Sequence, residues 1–209
     1  NESAHLEWSM MSYLGRVNYN YMSKYYATAS FRADGSSKFR GNNLYGYFPS
    51  ASLAWAFGEE QFIRKYDWLN AGKLRLSWGM TGNNRVGEYD TYARIAILQG
   101  GDGNYTDPLR NGYGVYSFNN TIVAGSIPLT LPNEDLKWET TSQWNVGLDL
   151  SLIKERVNVT IDMYDKLTHD LLLNAVLPVS SGYGSAMKNI GKVQNRGLEL
   201  TLTTVNLAK

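Results

Sequence analysis

The chain has 209 residues, of which 43% are hydrophobic and 19% charged, with a net charge of +1. Disorder needs low hydrophobicity with high net charge, and nucleic-acid binding needs a basic surface, so neither is expected. Cysteine is absent, which removes disulfide and thiol chemistry, and no run approaches 18 consecutive apolar residues, so no transmembrane helix is expected.

Residues 12–21 open the chain of predicted elements. Tyr13, Gly15, Val17, Tyr19 and Tyr21 fall on one face, and Ser12, Leu14, Arg16, Asn18 and Asn20 on the other. After Met22-Ser23-Lys24 the alternation resumes over 25–34, with Ala27, Ala29 and Phe31 against Thr28, Ser30 and Arg32. Two such runs joined by about three residues predict a hairpin. Residues 35–47 are rich in Gly, Asn and Ser and predict a loop. A third strand is expected over 50–57, with Ala51, Leu53, Trp55 and Phe57 on one side and Pro49 just before it.

Residues 58–69 predict the one helix. Phe62, Ile63, Tyr66 and Leu69 share a helical face, and Glu59 and Glu60 precede Arg64 and Lys65 in the order that suits the helix dipole. Alternation returns over 73–81. Residues 82–138 then form a long, weakly periodic region holding Gly100-Gly101-Asp102-Gly103. Such a loop suits the outside of a barrel better than a compact soluble domain. The clearest strand is 143–152, where Trp144, Val146, Leu148 and Leu150 oppose Gln143, Asn145, Gly147 and Asp149. A tight turn at 153–156 leads into 157–166. A looser stretch over 174–189 precedes a last strand carrying Leu198, Leu200 and Leu202.

Three features point to an all-β, antiparallel transmembrane β-barrel segment of about seven strands. Several runs reach the length needed to cross hydrocarbon at a tilt, longer than the usual soluble strand. The links run short, long, medium, very long, short, long, so the shortest fall at one end, as periplasmic turns and extracellular loops do. The helical patch is the medium link, on that same short side. Tyr13, Tyr21, Tyr25, Phe57 and Trp144 stand near the ends of the apolar faces, where interfacial girdles form. A mean hydropathy of −0.36 does not conflict with this, because alternation hides the membrane signal. Seven strands cannot close a wide lumen, so the sheet is expected to be part of something larger. A secreted or surface β-sandwich that binds carbohydrate explains the alternation too, and is the alternative from another class.

Several blocks carry a resemblance. They are Phe31-Arg32-Ala33-Asp34-Gly35-Ser36-Ser37-Lys38-Phe39, Gly46-Tyr47-Phe48-Pro49-Ser50, and Leu74-Arg75-Leu76-Ser77-Trp78-Gly79 running into Thr81-Gly82-Asn83-Asn84. Leu136-Lys137-Trp138-Glu139-Thr140-Thr141 and Asn189-Ile190-Gly191-Lys192-Val193-Gln194-Asn195-Arg196-Gly197-Leu198-Glu199 complete the set. In order and spacing the chain resembles the second half of the barrel of SusC/RagA family TonB-dependent outer-membrane transporters of Bacteroidetes. The resemblance implies a 22-stranded barrel whose long loops are extracellular, in the outer membrane of a Gram-negative cell. It implies partners: the rest of the barrel and its plug domain, a SusD-like lipoprotein, the TonB complex, outer-membrane lipid, and a glycan or peptide substrate. Residues 1–209 are then expected to be partial barrel, without plug, TonB box or signal peptide, and not an enzyme.

Motifs that could carry chemistry have plainer readings. The Asp34-Gly35-Ser36-Ser37 segment lacks the helix and Lys-Ser/Thr of a phosphate loop, and no nucleophile elbow exists, so rim turn chemistry is expected. Gly101-Asp102-Gly103-Asn104 with Asp107 does not match calcium-loop spacing, and His5 and His169 have no ligand-spaced partners, so neither metal nor other cofactor is expected. Asp162, Asp165 and Asp170 could suggest a carboxylate cluster for acid–base work, but Asp162 and Asp165 have opposite parity on a strand, so catalysis is not expected. Arg16, Arg32, Arg75 and Asp149 sit on polar faces, where cross-strand pairing is the first expectation. The candidates for substrate contact are Tyr89, Tyr92, Tyr105, Tyr113, Tyr116, Arg32 and Arg75; aromatic rings offer flat apolar faces with a polar tip, and packing against neighbouring loops or the lid is the plainer reading of each tyrosine.

Overall fold

A computed structural model describes residues 6–98, 115–119, 121–183 and 185–206, with the side chains of 95–98, 115–117, 122–127, 129, 130 and 179 outside that description. It contains the strands β1 (Met10–Tyr21), β2 (Tyr25–Ser36), β3 (Tyr45–Trp55), β4 (Leu69–Asn83), β5 (Arg94–Leu98), β6 (Val115–Phe118), β7 (Thr121–Thr130), β8 (Glu139–Leu152), β9 (Val157–His169), β10 (Leu172–Val176), β11 (Ser185–Asn189) and β12 (Lys192–Thr204). Seven of them form one antiparallel sheet in the order β1-β2-β3-β4-β8-β9-β12. The other five lie inside two long links, as a three-stranded sheet β5-β7-β6 and a hairpin β10-β11.

Side chains paired across an antiparallel ladder share a side of the sheet, so the register shows how local alternation becomes a continuous face. One row reads Tyr19, Ala27, Leu53, Leu76, Val146, Met163, Leu198, and the next Tyr21, Tyr25, Trp55, Leu74, Leu148, Ile161, Leu200. No second sheet covers this face among the described residues: Val17, Leu53, Trp144, Met163, Leu198 and Leu200 are all more than half exposed. Soluble monomers do not leave seven strands of apolar surface in water. The sandwich alternative would need a second sheet packed on this face, and the described strands provide none.

The seven strands meet links at 22–24, 56–68 and 153–156 at one end, two of them tight turns, and links at 37–44, 84–138 and 170–191 at the other, two of them the longest between strands of this sheet. Both boundaries of the apolar belt slant. Leu148 shares the row of Tyr21, yet its strand runs on to Leu152 before turning. At the loop end Tyr13 is still on the apolar side, whereas in β9 and β12 that side becomes polar at Asp165 and Arg196, in the row of Val17. A step of both edges in the same direction is what tilted strands produce in a barrel wall.

The structure changes the expected elements in three places. Strands extend past the expected bounds at the loop end, so Tyr45–Pro49, Glu139–Ser142 and Lys192–Arg196 are paired strand rather than loop, and the 35–47 loop shrinks to 37–44. The 58–69 helix reduces to a 3-10 turn at Phe57–Glu59 followed by turns, because Phe57 and Glu60 are pinned to neighbouring strands. Residues 82–138 and 174–189 contain β5 to β7 and most of β10 and β11, short strands without clean alternation.

Candidate functional site

Two constellations stand out, one on the polar face of the sheet and one at its loop end. The polar face is built on the alternate residues of the same strands. Arg75 on β4 donates from Nε to Asp149 Oδ2 at 2.7 Å, from Nη2 to Asp149 Oδ1 at 3.0 Å and from Nη2 to Asp162 Oδ1 at 2.9 Å. Thr160 Oγ1 adds a bond to Asp149 Oδ1 at 3.2 Å. The guanidinium thus clamps β4, β8 and β9 together, with a forked bond to one carboxylate. Gly147 makes room for it: a Cβ there would lie 2.6 Å from Arg75 Cζ and 2.5 Å from Asp162 Oδ1. With both partners more than 30% exposed, the clamp is a wet cross-strand pair rather than a buried one.

Around it the face is mainly polar, with Ala54 and Leu14 as apolar exceptions. Lys73 lies 5.4 Å over the Tyr26 ring, Gln143 donates to Asn145, and Tyr164 Oη donates to Asn195 across to β12. Arg16 stands on the same side, opposite Ser30. Such a surface is built to meet water or polar protein and not hydrocarbon.

The loop end holds the hydrophobic core among the described residues. Phe39 from the β2–β3 link, Phe48 on β3, Val86 after β4, and Leu136 and Trp138 before β8 are all buried, with Met80, Leu172 and Met187 packed against them. The Phe39 and Trp138 rings lie 5.2 Å apart and Phe48 meets Trp138 edge-on at 5.6 Å. Phe48 also lies over bare backbone, since a Cβ on Gly46 or Gly82 would sit 2.5 or 2.0 Å from its Cζ.

Side-chain hydrogen bonds, most of them to backbone carbonyls, tie the loops around this core. Asn189 Nδ2 donates to the carbonyls of Lys137 and Asp170 at 2.7 and 2.9 Å, while its Oδ1 accepts from the Lys137 N–H at 3.0 Å. Lys38 Nζ donates to the Val86 carbonyl at 2.9 Å, Asn84 Nδ2 to Ser36 Oγ, and Asn133 Nδ2 to the Met187 carbonyl. Buried Asp34 accepts from Arg32 Nε at both carboxylate oxygens at 2.7 Å, while Ser36 Oγ and Ser37 Oγ accept from the backbone N–H groups of Lys38 and Ser9, as turn chemistry at the rim requires. Asp170 lies beside His169 and Lys137. Burial pushes its carboxyl up, but the hydrogen bonds from His169 and Lys137 outweigh this and hold it below the ordinary carboxylate value.

Of the residues expected to meet substrate, Tyr89 and Tyr92 come together at this rim, edge to face at 6.4 Å and partly exposed. The Arg40 guanidinium stacks over Tyr92 at 4.5 Å and pairs with Glu134. Arg32 and Arg75 are in the ion pairs just described. Tyr105 and Tyr113 lie outside the described residues, as does the side chain of Tyr116 on β6; His5 and the Gly101–Asp107 loop are outside them too. Asp162, Asp165 and Asp170 are kept apart: Asp162 bonds Arg75, Asp165 bonds Arg196 and Gln194 on the other face, and Asp170 bonds Lys137. Sequence reasoning did not anticipate Asn189 or Lys38 as organising residues. Their only signal was membership of the Asn189-Ile190-Gly191 and Ser37-Lys38-Phe39 blocks.

Comparison with known proteins bears on the whole arrangement. The family described as TonB dependent receptor-like, beta-barrel, matches residues 9–207. TonB-dependent receptor P39 of Formosa agariphila is 40% identical over 93% of the chain, and TonB-dependent receptor SusC of Bacteroides thetaiotaomicron 36% identical over 93%. The chain spans only 17% and 18% of those two proteins. Among solved structures, the RagAB peptide importer in its closed-closed state superposes with a TM-score of 0.79 at 29% identity, covering 98% of this chain and 20% of that one. The siderophore receptor PirA of Pseudomonas aeruginosa, at 14% identity and a TM-score of 0.56, shares the fold alone.

Proposed function

The chain belongs to the TonB-dependent receptor β-barrel family, and on that premise we propose that it is a section of the barrel wall of an outer-membrane importer for oligopeptides or oligosaccharides. The observation that carries this reading is the pair of unlike faces. An uninterrupted apolar side suits lipid, a polar side suits a wet lumen filled by a plug, and the long links at one end form a packed extracellular rim. The short turns then face the periplasm. The wall itself does no chemistry; transport belongs to the assembly of barrel, plug, TonB complex and a SusD-like lipoprotein lid.

Similarity to a peptide importer favours oligopeptides, while Tyr89 and Tyr92 at the rim offer ring faces that suit sugars or peptide side chains. Tyr105, Tyr113 and Tyr116 remain proposed contacts of the same kind. Arg32 and Arg75 are proposed to contact substrate only through the oxygens of the carboxylates they hold. The test is uptake of labelled oligopeptides and oligosaccharides by cells with and without the full-length protein, together with co-purification of a lipoprotein. Loss of one class of uptake assigns the substrate. Unchanged uptake of both, with the protein recovered outside the membrane fraction, overturns the reading.

A further inference from the structure

The 56–68 link is the longest of the three at the turn end, and it does not hang free below the sheet. Where β3 stops at Trp55 and β4 runs on to Leu69, the Phe57–Glu59 turn takes the vacated place beside β4. A Cβ on Gly58 would lie 2.5 Å from the Gly72 nitrogen, and one on Gly72 would lie 2.1 Å from the Phe57 ring. Gly72 pairs with Leu150 on the apolar side, so Phe57 covers bare backbone on the side that faces lipid.

Glu60 fixes the link to that same side. Its Oε1 accepts from Tyr25 Oη at 2.7 Å and from Trp55 Nε1 at 3.4 Å, and its Oε2 accepts from Lys24 Nζ at 2.8 Å. Tyr25 and Trp55 belong to the last row of the apolar belt before the β1–β2 turn. The polar tips of two belt aromatics are therefore capped by a carboxylate from the link, and the carboxylate is neutralised by Lys24. Beyond this anchor the link displays Phe62, Tyr66 and Trp68, all more than half exposed, with Tyr66 and Trp68 paired at 6.3 Å. The Trp68 carbonyl accepts from the Ile153 N–H, which holds the far end against the β8–β9 turn.

We infer that this link is an interfacial foot, lying in the headgroup layer of the phospholipid leaflet at the turn end, with Phe62, Tyr66 and Trp68 inserted among glycerol and upper acyl groups. The partner is fixed by continuity: the foot prolongs the apolar belt, and Tyr and Trp with an apolar body and a polar tip are the side chains that such a layer holds. The Glu60 cap keeps the foot against the belt instead of letting it swing under the lumen. The inference rests on the barrel-wall reading.

Depth measurement in the full-length transporter tests it. Single cysteines from Phe62→Cys, Tyr66→Cys, Leu200→Cys and Lys154→Cys, in a background without other cysteines, are spin-labelled. The protein is placed in phosphatidylethanolamine–phosphatidylglycerol bilayers, and label collisions with oxygen and with a nickel chelate are compared. Labels at 62 and 66 are expected to show an oxygen-to-nickel ratio severalfold above that at 154 and below that at 200. Adding Glu60→Ala is expected to lower the ratio at 62 at least twofold. Ratios at 62 and 66 equal to that at 154, with 200 still in lipid, overturn the foot and leave the barrel standing. A water-exposed label at 200 overturns the barrel reading itself, and an unchanged ratio in Glu60→Ala removes the carboxylate from its anchoring role.

Discussion

Two parts of β8 and its approach obey different rules. From Trp144 to Leu150 the alternate side chains lie on the outer face, where Trp144 is 52% and Val146 43% exposed; Leu136 and Trp138, a few residues earlier, are 0% and 6% exposed. The belt needs nothing from distant sequence. Each strand brings its own apolar face, and the bilayer supplies the other half of the burial. The rim is the opposite case, a small water-soluble core whose members come from links up to about a hundred residues apart. Belt stability should therefore depend on the lipid phase, and rim stability on packing.

Phe39→Ala tests the rim most severely. It removes a ring with 1% exposure, and a cost of about 3–5 kcal/mol is expected for a buried Phe. The readout is faster proteolysis of the 37–44 and 84–138 links in the intact transporter, with the barrel still folded by its heat-shifted migration in detergent. If the links stay as resistant as before, the rim is not a core.

Leu200→Arg is the matching change in the belt, midway along the apolar run of β12. A cation on the lipid face costs about 2–4 kcal/mol near the bilayer centre, so folding yield into vesicles should fall while rim proteolysis is unchanged. Equal yields would mean that this face meets protein instead of lipid.

Smaller effects sharpen the same contrast. Asn189→Ala leaves the Lys137 and Asp170 backbone groups without their partner, and unmet bonds of this kind cost about 1–3 kcal/mol. Loosening should appear as faster hydrogen exchange at β10–β11 and the approach to β8, and not in the belt. The least effect is expected from acid. Asp170 is held below its ordinary value in the folded protein, so its contribution is present above the unfolded carboxylate value, about 4, and is lost as pH falls through the lower folded value. In Asp170→Asn the rim should lose that pH dependence below about 4, with a stability change of about 1 kcal/mol or less, as for most exposed ion pairs. Rim unfolding followed against pH in both proteins measures it.

How far each region could be read in advance follows from the same physics. In the belt, Tyr13 to Tyr21 and Trp144 to Leu152 announced their faces by parity, and the turns at 22–24 and 153–156 fell where alternation breaks. The helix expected over 58–69 failed because a 3.6-residue pattern of Phe62, Ile63 and Tyr66 says nothing about Glu60 being held by Lys24 and Tyr25 or Phe57 by Gly72. The loop strands β5 to β7 and the β10–β11 hairpin were missed because their sequences lack a clean alternation of polar and apolar residues. The rim blocks were recognisable as family sequence, yet their role as a core was not.

The amino-acid sequence by itself determined which residues share a face, where the strands turn, and that the tightest turns and the longest links fall at opposite ends. These are properties of a two-residue period and of local turn chemistry, so they need no knowledge of neighbours. Only the tertiary structure decided that β4 lies beside β8 and β9 beside β12 across the longest links, that Arg75 reaches Asp149 and Asp162 across Gly147, that Asn189 ties the rim, and that Glu60 fastens a link to the outside of the wall. Each of those depends on residues dozens of positions apart being brought within about 3 Å, which only the register of the assembled sheet can do.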